Sequence, residues 1–376
     1  MNKTSKRILT ADLLIADLVL KYDDSDAMRE QVKKLGMKPG GKGRINRTEF
    51  EEFSGAVAGV PILTYPGGSS SNTLRTLGKL MGGSVQTNFI GVVGGGFYSS
   101  MIRGSLREAG IRIIPDDSER LDLKGAETAV SFVILYKNGE RSIVTYPGNA
   151  AKFITPDLIT DEMVKETDIL FLQGNTREKF NASVPDKLLK LRWEHNKELW
   201  LALPTTQAFA ISNRDYFQWL IASANVVMSN ETEVQNIFGT RSLEDALRRM
   251  QVVFSDTKKS DLMKSREQIG FITAGKDGAF VVTAHEIGAV PAASDIKIVN
   301  SLGAGDTSYA GFMAGMITGR GPIESAELAM VLAAEKLKTD GPTIPNPRSA
   351  LTKTVPHIAA RLFGPDANPI PGTFLG

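Results

Sequence analysis

The sequence predicts an α/β protein: a mostly parallel sheet with helices on both faces, carrying a small β-rich unit. Three observations lead there. From about residue 157 onward, short apolar runs alternate with amphipathic segments, the rhythm of a parallel sheet covered by helices. Each of those runs ends in a turn or polar signal, where open parallel sheets keep their ligand crevice. Earlier in the chain, residues 125–146 read as two strands joined at Lys137-Asn138-Gly139-Glu140, and an Asn-Gly pair is a strong hairpin signal.

Taken in order, the first element is an apolar segment over residues 8–20, preceded by Lys3, Lys6 and Arg7. Two aspartates interrupt it and no small-residue cleavage site follows, so it reads as a first strand and not as a secretory leader. Residues 22–66 are rich in charge and glycine, as in Lys38-Pro39-Gly40-Gly41-Lys42-Gly43. With the hairpin they form the expected small unit, a lid able to exclude water from a reaction. The division expected is a large α/β domain over 1–21, 67–111 and 148–376, and a lid over 22–66 and 112–147.

Buried strands are expected at 168–172, 199–203, 225–228 and 270–273, with helices at 184–195, 214–223 and 242–252. Near the C-terminal end, Ile296-Lys297-Ile298-Val299 suggests a strand feeding a glycine turn. Beyond the turn, Tyr309, Phe312, Met313 and Met316 recur at helical spacing. A short last helix is expected over His357–Phe363, after Pro356.

Composition narrows the function classes. The 376 residues are 42% hydrophobic and 23% charged, an ordinary globular balance. Net charge is +2 with no long block of like charge, which argues against nucleic acid or an anionic membrane as partner. No run approaches the length needed to span a bilayer. A cytoplasmic protein is expected, a monomer or homodimer acting on a small molecule. With no cysteine, disulfides, thiolate metal sites and cysteine nucleophiles are excluded, and His195, His285 and His357 show no ligand spacing.

Three short motifs carry chemistry. In Gly303-Ala304-Gly305-Asp306, paired glycines let backbone N–H groups crowd around an anion at the positive end of a helix. Asp306 then stands where a carboxylate takes a proton from a hydroxyl while a phosphoryl group is transferred. Alone, it reads equally as a helix N-cap. The second motif, Pro66-Gly67-Gly68-Ser69-Ser70-Ser71-Asn72, allows close backbone approach to a ligand, with Ser69 and Asn72 offering polar groups from a first helical turn. Its plain alternative is a serine-capped helix. The third, Asn230-Glu231-Thr232-Glu233, could hold the waters of a magnesium ion, or be an acidic first turn and nothing more. No G-x-G-x-x-G follows a strand and no P-loop is present.

As an ordered set, these motifs with Ile272-Thr273-Ala274-Gly275-Lys276-Asp277-Gly278 resemble the ribokinase-like (phosphofructokinase-B type) family of carbohydrate and nucleoside kinases, over about residues 8–341. The long segment after the first strand, Asp17 and the lid strands are similar to its adenosine kinase branch. The resemblance implies that Asp306 is the general base and that Gly303, Ala304 and Gly305 form the anion hole. It implies that Asp17, Gly68, Ser69 and Asn72 hold acceptor hydroxyls, with Arg141 reaching in from the lid. Thr273, Gly275 and Asn230 would line the ATP site, and Glu233 would hold Mg2+ through water. The activity implied is ATP-dependent phosphorylation of a nucleoside's primary hydroxyl, adenosine first; a sugar kinase or a nucleoside-binding pseudokinase are the alternatives.

This chain departs from the family in having Asn300-Ser301 where Asp-Thr is common, which removes a negative charge near the phosphate site. The stretch 91–99 also lacks the aspartate and later glycine usual after G-x-V-G. A free aspartate titrates near ~3.9 and a helix N-terminus favours its ionised form, so Asp306 is expected to be a weak base that works by alignment.

Overall fold

A computed structural model describes residues 5–22, 25–115, 125–137, 140–180, 182–196, 198–206, 214–256 and 267–363. Its main sheet has nine strands, in the order Ile287–Val290, Ala279–Val282, Ile269–Thr273, Val226–Asn230, Trp200–Pro204, Ile169–Phe171, Lys6–Ala11, Val85–Ile90 and Ile111–Ile114. All neighbours are parallel except the last hairpin, where Ala279–Val282 pairs antiparallel to both of its neighbours. The central strands Ile169–Phe171 and Trp200–Pro204 are apolar and buried on both faces because helices cover each side. Two large clusters, one on each face of this sheet, make the core.

A second sheet of five strands runs Lys42–Arg44, Arg141–Tyr146, Ala129–Leu135, Ile15–Lys21, Ile62–Gly67. The two strands expected over 125–146 are present and antiparallel, while the Asn138-Gly139 turn lies outside the described residues. The strands expected at 168–172, 199–203, 225–228 and 270–273 and the helices expected at 184–195, 214–223 and 242–252 are found within a few residues of their predicted ends, and the last helix is Pro356–Phe363. Among the described residues no helix is long and apolar enough to cross a membrane.

Three expectations need correction. The segment 8–20 is two strands: Lys6–Ala11 lies in the large sheet and Ile15–Lys21, also assigned to the large domain from sequence, pairs in the small one. The chain crosses over at Asp12, whose buried carboxylate accepts the Leu13 N–H (2.7 Å) and Ser70 Oγ (2.6 Å) and pairs with Lys179. Residues 22–66 are not simply β-rich, since they contain the helices Asp26–Lys34 and Arg47–Ala56. Finally, Ile296–Val299 forms no strand. It finds no sheet neighbour, and Ile298 and Val299 are exposed, tied down through Val299 N–H to Leu337 O (2.8 Å).

The helix Ala304–Ile317 is buried on nearly every side over residues 307–317, which explains why it lacks a charged face beyond its first turn. Phe312 stacks on Phe271 of strand Ile269–Thr273, with ring centroids 4.5 Å apart and planes 7° apart. That contact fixes where the helix begins relative to the strand ends. Phe312→Ala should cost about 3–5 kcal/mol of stability, read as a lowered urea midpoint. A loss under ~1 kcal/mol would mean that the stack does not anchor the helix.

Candidate active site

Both glycine-rich motifs open helices, and both helices begin on a glycine at positive φ with no capping side chain: Gly68 (φ 88°) before Ser69–Met81, and Gly303 (φ 75°) before Ala304–Ile317. The first N–H groups of each helix therefore have no side-chain cap, although the Ala304 N–H makes a long bond to Ser301 O (3.3 Å), and they carry the positive end of the dipole. At Gly303 glycine is required twice over. The left-handed backbone disfavours a side chain, and a Cβ would strike the Pro342 carbonyl.

Asp306 joins the two helices. Ser69 Oγ donates to its Oδ1 (2.6 Å) and Asn72 Nδ2 to its Oδ2 (3.0 Å). Ser69 and Ser70 are thus not caps: Ser69 faces Asp306, and Ser70 faces Asp12. Burial lifts the Asp306 carboxyl above the ordinary carboxylate range, outweighing these two hydrogen bonds and the charges of Lys42 and Arg141. The low value expected from the helix dipole is corrected here, because desolvation is the larger effect at this position. The carboxyl is a stronger base than a free aspartate.

Asp17 sits behind this pair, 7% exposed. It lies over Gly67, where any Cβ would collide with its carboxyl. Its carboxyl is pushed up to about 7, chiefly by burial, with nearby Asp306 adding to the rise and Arg75 opposing it. Arg75, which sequence reasoning missed, is a wholly buried guanidinium three residues beyond Asn72 on one helix face. It donates to Asn72 Oδ1 (2.5 Å), Pro66 O (2.7 Å) and Ser105 Oγ (2.8 Å). Its bond to the amide oxygen turns the Asn72 NH2 toward Asp306. A cation inside the apolar run Leu74, Leu77, Leu80 was the available signal.

From the small sheet, Arg141 Nη1 donates to Ser301 Oγ (2.8 Å) on the glycine turn. Lys42, also missed, is exposed on the edge strand, and its charge acts on both Asp306 and Glu233. No sequence period marks it.

Asn230 and Thr273 face each other in register at the carboxyl ends of adjacent parallel strands, and Gly275 follows in an exposed turn. Asn230 also caps the helix Glu231–Phe238. Its Oδ1 accepts the Glu233 N–H (2.9 Å), and Glu233 Oε2 accepts from Thr205 Oγ1 (2.8 Å) and the Asn230 N–H (3.4 Å). The reading of this motif as a helix start is therefore satisfied in full. Burial raises the Glu233 carboxyl. The structure thus gathers Asp306, Ser69, Asn72, Asp17 and Arg141 around one turn, with Asn230, Glu233 and Thr273 along the neighbouring strand ends.

An open α/β sheet with a second small sheet and this constellation at the strand ends defines a ribokinase-like fold. The fold matches an adenosine kinase from Sinorhizobium meliloti at a TM-score of 0.77 and 21% identity, covering 94% of this chain and 100% of the other. It also matches a probable sugar kinase from Rhizobium etli at 0.76 and 20%, covering 94% and 99%. The description of the pfkB family carbohydrate kinases matches residues 45–349, and the chain belongs to that family. Among curated relatives it is 26% identical over 297 residues to adenosine kinase of Saccharomyces cerevisiae, covering 76% of this chain and 82% of the relative. It is 25% identical over 273 residues to 5-dehydro-2-deoxygluconokinase of Listeria monocytogenes, covering 71% and 77%. The protein is a kinase that transfers phosphate to a hydroxyl, and its family implies ATP as the donor.

The Asp17 carboxyl, raised from 3.8 to about 7 in the folded chain, makes a contribution to stability that is full below about 3.8 and lost as pH rises through about 7. Wild type should therefore lose more melting temperature between pH 4 and pH 8 than Asp17→Asn does. Equal losses in the two proteins would remove Asp17 as the source. Arg75→Met should lower kcat by roughly tenfold or more by freeing Asn72 to rotate, in steady-state assays of the folded variant. Unchanged kcat would show that Asn72 is held without it.

Proposed function

We propose that the protein transfers the terminal phosphoryl group of ATP to the primary hydroxyl of a nucleoside, with adenosine as the first candidate acceptor. The observation that carries this reading is Asp306: a carboxyl made more basic by burial, aimed by Ser69 and Asn72, beside the N–H groups of an uncapped helix start. Asp306 accepts the acceptor's hydroxyl proton as the oxygen attacks. Gly303, Ala304 and Gly305 present N–H groups to the migrating phosphoryl oxygens. In a loose transition state, alignment and charge stabilisation supply most of the acceleration. Asp17, with Ser69 and Asn72, accepts or donates to the ribose hydroxyls, and the small sheet brings Arg141 over the turn while excluding water.

The nucleotide lies along Asn230, Thr273 and Gly275. Magnesium fits through water alone: among the described residues no group of three or more His, Asp or Glu is placed to hold a metal, and Glu233 has one oxygen engaged by Thr205 and Asn230. Its other oxygen is the one to order the ion's hydration shell, and the ion, when bound, neutralises charge on the donor phosphates. Adenosine is favoured by the yeast relative and the Sinorhizobium neighbour. A sugar or keto-deoxy sugar acid as acceptor is the second reading, favoured by the Listeria relative at comparable identity.

The test is incubation of the pure protein with ATP, magnesium and a panel of nucleosides and sugars, with phosphorylated product detected by mass. Adenosine monophosphate is the expected product. Product from a sugar and none from any nucleoside would transfer the assignment to the second reading. Asp306→Asn should fold as wild type with kcat reduced about 10²–10⁴-fold, and near-normal turnover would take Asp306 out of the mechanism.

A further inference from the structure

Lys336, on the helix Pro322–Leu337, is wholly buried, with 0% exposure. Nothing in the reaction described above uses it. Its ammonium donates to two backbone carbonyls, Asn300 O (3.0 Å) and Thr339 O (3.3 Å). Those carbonyls belong to the two segments that enclose the glycine turn. The first runs directly into Gly303. The second continues to Pro342, whose carbonyl packs against Gly303 so closely that no Cβ fits between them. Two further bonds join the same segments, from the Val299 and Asn300 N–H groups to Leu337 O (2.8 and 3.3 Å), and the Asn300 side chain accepts the Leu302 N–H (2.8 Å).

We propose that the Lys336 ammonium is a tethered cation that clamps the glycine turn from behind, holding its N–H groups in position for the phosphoryl group and adding positive charge beneath them. The proposal rests on the reading of that turn as the anion hole.

Burying an ammonium among apolar side chains is costly unless strong acceptors surround it. Here the hydrogen-bonding acceptors are neutral carbonyl dipoles, the donor set that suits a small cation. Among the described residues no carboxylate is hydrogen-bonded to it, so its charge is not neutralised by a direct ion pair and acts on the turn. Asp340, on the loop after the helix, favours the charged form. Arg141, from the small sheet, opposes it, and burial brings the ammonium down to about 8. It remains largely charged at neutral pH, and an anion arriving at the turn strengthens it further.

The test compares wild type, Lys336→Met and Lys336→Ala in potassium, ammonium or tetramethylammonium chloride at equal ionic strength. Wild type should melt and turn over alike in all three salts, because its cation is covalently attached. Lys336→Met should lose roughly tenfold or more in kcat with acceptor KM unchanged. Lys336→Ala should recover part of its lost turnover and melting temperature in ammonium or potassium chloride, and none in tetramethylammonium chloride, whose ion is too large for the vacated space. Wild-type kcat in the Met variant, or an Ala variant indifferent to the salt, would overturn the proposal.

If neither variant folds, the wild-type comparison decides: indifference sustains the proposal, and a requirement for a small cation overturns it. The melting response does not depend on the identity of the acceptor. Failure of every nucleoside as substrate is therefore distinguishable from failure of the clamp.

Discussion

One carboxylate ties the starts of two helices together. Asp306 takes its hydrogen bonds from Ser69 and Asn72 on the helix Ser69–Met81 while standing in the first turn of Ala304–Ile317. Both helices begin on glycine without a capping side chain, so two positive dipole ends converge with N–H groups that no side chain caps. Such an arrangement is unfavourable for an isolated fold, because buried or half-buried donors without partners cost free energy. It is stable here because Asp306 supplies negative charge between the two ends and the apolar body of the second helix is locked by the Phe271–Phe312 stack.

The pattern of what was legible in the sequence follows from the range of each cause. Turn and helix at Gly303–Asp306 were readable because local backbone geometry demands glycine there and a helix face follows within one turn. The strands after residue 169 were readable because burial on both faces leaves a continuous apolar run. The break at Asp12 was not. Strand propensity is the same on either side of it, and only the long-range partners Lys179 and Ser70 show that the aspartate is a crossing point between sheets. The β-branched run Ile296–Val299 misled for the opposite reason. Propensity favoured a strand, yet no neighbour was available to pair with it, and tertiary context decided.

The candidate site was legible as a set of backbone turns and first-turn side chains, and much less so as an electrostatic system. Arg75, Lys42 and Lys336 all act over distances in space that have no sequence period. Each became visible only where the fold brought its charge to Asp306, Glu233 or the glycine turn. The direction of the Asp306 shift was misjudged from sequence on the same account: a helix dipole is a local feature that sequence reveals, whereas desolvation depends on everything that packs around the carboxyl.

In a largely buried region, Arg75 bonds to the neutral Asn72 amide that donates to Asp306, and its charge also acts on Asp17. Arg75 lies between two carboxyls, close enough to lower Asp17, and holds the Asn72 amide that donates to Asp306. Burial lifts both carboxyls above the ordinary carboxylate range, and at Asp17 the nearby Asp306 adds to the rise. Adding a phosphoryl group brings still more negative charge to the same place, so the site requires cations that are not already committed to those carboxyls. Arg141 and Lys42 come from the small sheet and Lys336 from beneath the turn. On the function proposed here, the small sheet is therefore part of the charge balance of the reaction as well as its cover. A displacement that withdrew Arg141 from Ser301 would weaken phosphoryl stabilisation even with Asp306, Ser69 and Asn72 left in place, and this couples closure to chemistry through electrostatics alone.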